Sequence, residues 1–382
     1  MLLTDARVVV PAGVVERGWV RVDGDRIAEV GADAARADGE RLSLAGRTVV
    51  PGFVDLHVHG GGGHSMQSPD ADEIRAAAAF HLEHGTTSLL VSIVTAPLDE
   101  MLDSLGALSR LAGEGTILGA HLEGPFLNPL RAGAHDARYL LAPDEATFDR
   151  LVAASHGALR VVTVAPELPG GIELLRRVVA AGAIAAAGHS DADHAGGMAA
   201  FDAGATLVTH LFNGMRPWHH REPGLAGAAL ERAGVVSELI ADGVHLHDAS
   251  ARLAFAAAPG RVALVTDATA AAGSDEGSHR LGMAGVVVRD GAPRLADGVT
   301  LAGSVLTMDR ALARAVRELG LPIGTAVEAA STTPARVLGI GDRVGSIEPG
   351  KHADLVVLDD ELRVEAVMSG GVWKTSGRLF HT

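Results

Sequence analysis

At 382 residues the chain exceeds one ordinary domain and can bury a large core, and its 47% apolar and 21% charged content excludes a mostly disordered protein. Cysteine is absent, which removes disulfide scaffolds, thiolate metal sites and cysteine nucleophiles together, and a formal charge of −15 disfavours a nucleic-acid or anionic-membrane surface. No apolar run reaches the roughly 18 residues of a membrane span, and the N-terminal MLLTDARVVVPAG lacks the pattern of a secretory signal, so the expected setting is the cytoplasm.

Residues 1–50 read as short strands. VVERGWVRVDGDRIAEVG alternates apolar and polar residues around Asp23-Gly24-Asp25, a hairpin signal. The last stretch, SIEPGKHADLVVLDDELRVEAVMSGGVWKTSG, has the same texture. Residues 1–50 and 343–382 are therefore expected to pair into one small composite β-sandwich domain.

Between them, over 51–342, short runs of Val, Ile, Leu and Ala alternate with Ala-rich helical stretches. The runs are FVDLHVHG (53–60), TSLLVSIV (87–94), TILGAHLEG (116–124), RVVTVAPE (160–167), AIAAAGHS (183–190), TLVTHLFN (206–213), SELIADGVH (237–245) and ALVTDA (263–268). DADEIRAAAAFHLEHG (70–85) is one of the helical segments, with Gly85 suited to its C-terminal cap. Near-continuous apolar strands separated by helices predict a parallel sheet covered on both faces. Eight of them predict an α/β fold of the (β/α)₈ TIM-barrel type. An open doubly wound sheet is the rival, but no Gly-rich phosphate turn follows the first strand. From about 275 to 302 the pattern breaks into a β excursion, before two helices at about 304–319 and 323–338.

Active sites in barrels occupy the C-terminal ends of the strands. His57 and His59 lie there at i and i+2, on one side of strand one. Glu123 ends strand three, His189 strand five, His210 strand six, Asp242 and His245 strand seven, and Asp267 strand eight. Singly, each has a bland reading: a polar pair at a strand end, a structural histidine, a helix cap. Together, imidazoles and carboxylates without thiolates suit a divalent ion such as Zn²⁺, Mn²⁺, Fe²⁺ or Co²⁺.

PGFVDLHVHG resembles the opening of the amidohydrolase superfamily barrel. HLEGPF (121–126), GAHD (133–136), AGHSDA (187–192), THLFNGM (209–215), REPGL (221–225), ADGVH (241–245), LVTDAT (264–269), TLAGS (300–304) and TPARVLG (333–339) resemble, in order and spacing, the N-acetylglucosamine-6-phosphate deacetylase family. The resemblance implies a homodimer that hydrolyses the acetyl amide of N-acetyl-D-glucosamine 6-phosphate. It implies metal ligands at Glu123, His189 and His210. Some members have lost the first-strand histidines and keep one metal; this chain retains them, which implies two ions bridged by Glu123. His57, His59 and Asp267 would complete one site, and His189 and His210 the other. A carboxylated lysine, the bridge in several superfamily members, is closed off because no lysine precedes Lys351.

An amide of this kind needs an activated water, a polarised carbonyl and a proton for the leaving amine. A bound ion can bring the pKa of its water to about 7. Asp267 is the candidate general base and then acid, and His245 the candidate polariser of the acetyl oxygen. Arg221, His135 and the backbone at Asn213-Gly214 are implied for the phosphate. Ala134, Asp242 and Leu301-Ala302-Gly303 are implied as further substrate contacts. Gly214 departs from the family's usual alanine, a change expected to loosen the loop. Trp218, His219 and His220 receive no role. The same ligands would serve a relative acting on another N-acyl amino sugar, an N-acyl amino acid or a cyclic amide, whereas the intact Asp267 and His245 count against a non-catalytic metal-binding barrel.

Overall fold

The computed structural model describes residues 1–32, 40–274 and 276–375. It divides into two compact units. One gathers Met1–Asp55, Ala79–Ser88 and the residues from Met308 onward; the other gathers Leu56–Ala78 and Leu89–Thr307.

In the first unit the two ends of the chain share one hydrogen-bonded sheet, the expected composite β domain. Thr48–Pro51 pairs antiparallel with Leu355–Leu358 and parallel with Leu2–Val10. Alternation selects the side chains that meet beneath the sheet. Leu3, Val8, Val20, Val22 and Val49 pack with Leu355, Val357 and Met368 in one apolar cluster. The predicted hairpin forms between Gly13–Asp23 and Arg26–Ala32, with Asp23 opposite Arg26. Gly24 at φ 58° supplies the left-handed turn residue. Gly85 closes the helix Ala71–Glu83 at φ 86°, where a Cβ would strike the Phe53 ring at 2.7 Å. Helices Met308–Arg317 and Ile323–Val327 also belong to this unit.

The barrel has the eight predicted parallel strands in sequence order: Phe53–Val58, Thr86–Val94, Gly119–Glu123, Leu159–Val164, Ile184–Ala187, Leu207–Val208, Val236–Ile240 and Val262–Val265. We number them one to eight. Strand eight closes on strand one through the Asp267 amide, which donates to the His57 carbonyl at 2.9 Å, and the His59 amide, which donates to that of Ala268 at 2.7 Å.

Strands five and six are shorter than the apolar runs suggest. The chain turns left-handed at His189 (φ 47°) and His210 (φ 29°), which ends the extended backbone two residues past each strand. The excursion folds as a three-stranded antiparallel sheet of Gly277–Leu281, Ala284–Arg289 and Ala292–Leu295. Its Leu281 and Val286 pack on Val94 and Ala302.

The barrel interior is unusually polar near the C-terminal rim. His121 bridges the Ser92 and Thr163 hydroxyls at 2.8 Å each, and Thr163 contacts Thr209 at 2.8 Å. Buried hydroxyls and imidazoles are costly unless paired, and here they pair with one another.

Candidate active site

His57 and His59 present their Nε2 atoms 3.1 Å apart, as the two-residue period of a strand requires. Across from them stands Glu123, the last residue of strand three, with its two oxygens facing different partners. Oε2 lies 3.4 Å from His57 Nε2 and 3.3 Å from His59 Nε2. Oε1 lies 3.0 Å from His189 Nε2 and 2.9 Å from His210 Nε2, and those two nitrogens are 3.0 Å apart. Asp267 Oδ1 joins the first group, 3.0 Å from His59 Nε2 and 3.5 Å from His57 Nε2. Six residues from five strand ends thus form two donor sets that share one carboxylate, and each set contains a triplet of groups able to hold a metal ion.

The far side of each ring shows which nitrogen is available. His59 Nδ1 donates to the Ser92 carbonyl at 3.1 Å, His189 Nδ1 to the Arg131 carbonyl at 2.7 Å, and His210 Nδ1 to the Asn213 carbonyl at 3.2 Å. His57 Nδ1 donates to the Glu238 carboxyl at 3.1 Å. Carbonyl oxygens only accept, so Nδ1 carries the hydrogen and a neutral ring turns a lone pair at Nε2 toward Glu123. Lone pairs this close to carboxylate oxygens repel unless a positive charge lies among them. Nitrogen and oxygen ligands about 2.0–2.1 Å from a tetrahedral ion stand roughly 3.3 Å apart, close to the spacings of both sets. The residues fit a divalent cation.

The titration behaviour expresses the same demand. Burial opposes charge on His57 and His59, but Glu123 and Asp267 outweigh it, raising His57 well above its ordinary range and His59 to about 9. Burial likewise pushes Asp267 up, yet His57 and His59 bring it down to about 2. Glu123 falls well below the usual carboxylate range against its own burial, drawn down by His57 and His135.

His135 is built the opposite way. Its Nδ1 accepts from the Thr95 amide at 3.2 Å, so the ring hydrogen sits on Nε2, which lies 3.5 Å from Glu123 Oε2. Burial lowers its pKa to about 4 and keeps it neutral. It is a donor to the site, not a ligand. His245 is held by Asp242, whose Oδ2 accepts from Nδ1 at 2.7 Å and whose Oδ1 accepts the Val244 and His245 amides. Burial lowers the His245 pKa, but Asp242 overcomes it and the net shift is upward. Its Nε2 is thereby suited to donating a hydrogen bond.

A cavity of about 300 Å³ opens above these groups. Glu123, His189, His210 and Asp267 line it with Ala134, His135, Asn213, Gly214, His245, Leu301 and Gly303. Of the sequence candidates outside the two donor sets, three lie elsewhere. Arg221 is exposed, with its guanidinium 2.8 Å from His220 Nε2; Asp242 stands behind His245; and Ala302 is buried in the apolar cluster. The His219 and His220 rings lie tilted against each other with centroids 4.1 Å apart, and Trp218 meets Phe212 edge-on.

Sequence reasoning missed the groups that orient the donor rings, Glu238 above all. Its signal was a charged residue in the middle of the apolar run SELI. It also missed what Gly214 does. At φ 57°, a Cβ there would lie 3.0 Å from His189 Nδ1 and 3.2 Å from its Cε1, while the Gly214 carbonyl accepts the Ser190 amide at 3.0 Å. The glycine makes room for the His189 ring, and its carbonyl ties the loop to Ser190.

Comparison with known proteins identifies the family. A model described as "Amidohydrolase family" matches residues 48–374. N-acetylglucosamine-6-phosphate deacetylase of Bacillus subtilis (strain 168) is 36% identical, covering 95% of this chain and 94% of its own length. N-acetylgalactosamine-6-phosphate deacetylase of Escherichia coli O157:H7 is 38% identical, covering 84% and 86%. A solved structure of a mutant N-acetyl-D-glucosamine-6-phosphate deacetylase from Mycobacterium smegmatis, in complex with N-acetyl-D-glucosamine-6-phosphate, matches with a TM-score of 0.95 at 42% identity, covering 98% of this chain and 99% of that one. With the barrel, the strand-end donors and these likenesses in agreement, the chain belongs to the amidohydrolase family and stands among relatives that are N-acetylglucosamine-6-phosphate deacetylases.

Proposed function

We propose that the chain hydrolyses the acetyl amide of N-acetyl-D-glucosamine 6-phosphate, releasing acetate and D-glucosamine 6-phosphate. The observation that carries this reading is the bridging placement of Glu123 between two sets of Nε2 donors. Members of the family are metal-dependent, and we assign two divalent ions, zinc first among the candidates, to the two donor sets. His57, His59, Glu123 and Asp267 would hold one, and Glu123, His189 and His210 the other. Ions held there supply Lewis acidity and an ionised water at neutral pH.

The chain's own groups do the rest. Asp267, at the edge of both the cavity and the strand-one set, takes a proton at its carboxylate and returns it to the sugar nitrogen. His245, oriented by Asp242, which also favours its protonated form, donates from Nε2 to the acetyl oxygen. His135 offers its Nε2 hydrogen to the substrate, with Asn213 and Gly214 beside it. Asp242 serves by holding His245. We assign Arg221 to the phosphate, from outside the lined cavity, because a guanidinium can pair with two phosphate oxygens. A homodimer in the cytoplasm, with no nucleic-acid or membrane partner, completes the reading; among the described residues no helix is long and apolar enough to cross a membrane. Residues 51–342 would form the catalytic barrel, and 1–50 with 343–382 the β domain.

The test is acetate release from the phosphorylated sugar, with bound metal measured on the same sample. Turnover that follows metal content and favours the phosphorylated over the unphosphorylated sugar is expected; turnover in metal-free protein would refute the reading. The galactosamine relative favours one second reading, the C4 epimer as substrate, and the epimer belongs in the same assay. Arg221→Ala should raise KM about 10- to 100-fold for the phosphorylated sugar and hardly at all for the unphosphorylated one.

A further inference from the structure

Glu238 lies in the middle of strand seven, fully buried, and neither lines the cavity nor takes part in the steps above. Its Oε2 accepts two hydrogen bonds, from His57 Nδ1 at 3.1 Å and from the His210 amide at 3.2 Å. Its Oε1 has no hydrogen-bond partner among the described residues. A buried carboxyl with an unsatisfied oxygen is costly, and an aliphatic side chain would fill a barrel interior at less expense. Packing therefore does not explain it.

The contrast with the other ligands does. His59, His189 and His210 back onto neutral backbone carbonyls, whereas His57 alone backs onto a carboxyl. A carboxylate behind an imidazole fixes the ring and makes the opposite nitrogen a stronger electron donor than a carbonyl does. The same oxygen also restrains the amide of His210, where the backbone leaves strand six in a left-handed turn. We propose that Glu238 is a positioning residue that tightens cation binding at the His57–His59–Asp267 set while steadying the turn that presents the other. The inference rests on the two-ion reading above.

Metal-free protein titrated with Co²⁺, followed by visible absorption and by protein-bound metal, tests it. Glu238→Gln keeps the size and an acceptor oxygen but gives His57 a neutral partner like those of the other three rings. His57→Asn identifies which binding event belongs to the strand-one set. The wild-type protein should bind two ions. In the Gln variant the strand-one event should weaken about 10- to 100-fold, with the other event and the thermal midpoint of the metal-free protein preserved. Glu238→Asp, which keeps the carboxyl but shortens its reach, should weaken the same event and serves if the Gln variant fails to fold. Two ions bound with wild-type affinity in both variants would overturn the proposal. So would equal weakening of both events with a lowered midpoint, the mark of a purely structural role. A single ion in the wild-type protein would instead bring down the two-ion reading, and the assignment of Glu238 with it.

Discussion

The two donor sets meet at Glu123 but are made differently. His57 lies within a regular strand and His59 just past it, and strand geometry alone aligns their nitrogens. His189 and His210 come two residues after very short strands, on backbone forced to φ 47° and 29°. Non-glycine residues held there store strain, and it persists only where the surroundings over-determine it. At His189 those surroundings are a charged loop network. Arg131, whose carbonyl holds the ring, is tied to Asp191 at 2.6 Å, and Asp191 also pairs with Arg216 at 3.0 Å. One set is thus fixed by secondary structure and the other by loops, although both present the same atoms to the site.

Asp267 belongs to the strand-one set through His59 but takes its backbone, φ 49°, from the other style of construction. If it moves the proton, Asp267→Asn should lower kcat by about 10²- to 10⁴-fold while fold and at least one bound ion survive. Near wild-type turnover in that variant would reduce Asp267 to a ligand. The next largest effect separates the two sets. His57→Asn should remove one ion and leave the His189–His210 set filled, and His189→Asn should do the reverse. Metal analysis showing both ions lost together in either variant would mean that the sets do not bind independently.

This contrast also explains what the sequence made legible. The His-x-His spacing could be read because a strand repeats every two residues, so those two rings had to share a face. Glu123, His189, His210 and Asp267 could be placed only as strand ends, and the assumed runs AIAAAGHS and TLVTHLFN proved longer than the strands they contain. Nothing local in Gly-His-Ser or Thr-His-Leu announces a left-handed histidine; the turn is imposed by the Asn128 amide on the His189 carbonyl and by neighbours such as Gly214. Glu238 escaped for the same reason, since its partners His57 and His210 are 181 and 28 residues away in the chain. The eight-strand barrel, built from repeated local patterns, came through, whereas the orienting contacts depend on closure.

Proton competition should distinguish the sets next. Burial disfavours a proton on His59, yet Asp267 and Glu123 raise its pKa to about 9, and His57 shifts the same way. A cation entering the strand-one set below that pH must displace protons. Its apparent affinity should therefore rise from pH 6 to about 9 and then level off, with proton release measurable by calorimetry in buffers of different ionisation enthalpy. An affinity independent of pH over that range would show that these rings bind metal without giving up a proton.

The smallest expected effect falls on the loop-built set alone. Gly214→Ala places a methyl group 3.0 Å from His189 Nδ1 at a backbone φ of 57°. The left-handed conformation costs an L-residue about 1–2 kcal/mol, and the ring must shift as well. Because Gly214 touches His189 and not His57 or His59, the variant should bind the ion of the His189–His210 set several-fold more weakly and leave the strand-one ion unchanged. A second change in the 131–135 loop that gives the ring room should restore affinity. Equal weakening of both ions in Gly214→Ala would mean that Glu123 transmits strain from one set to the other, and the division between strand-built and loop-built ligands would then lose its energetic meaning.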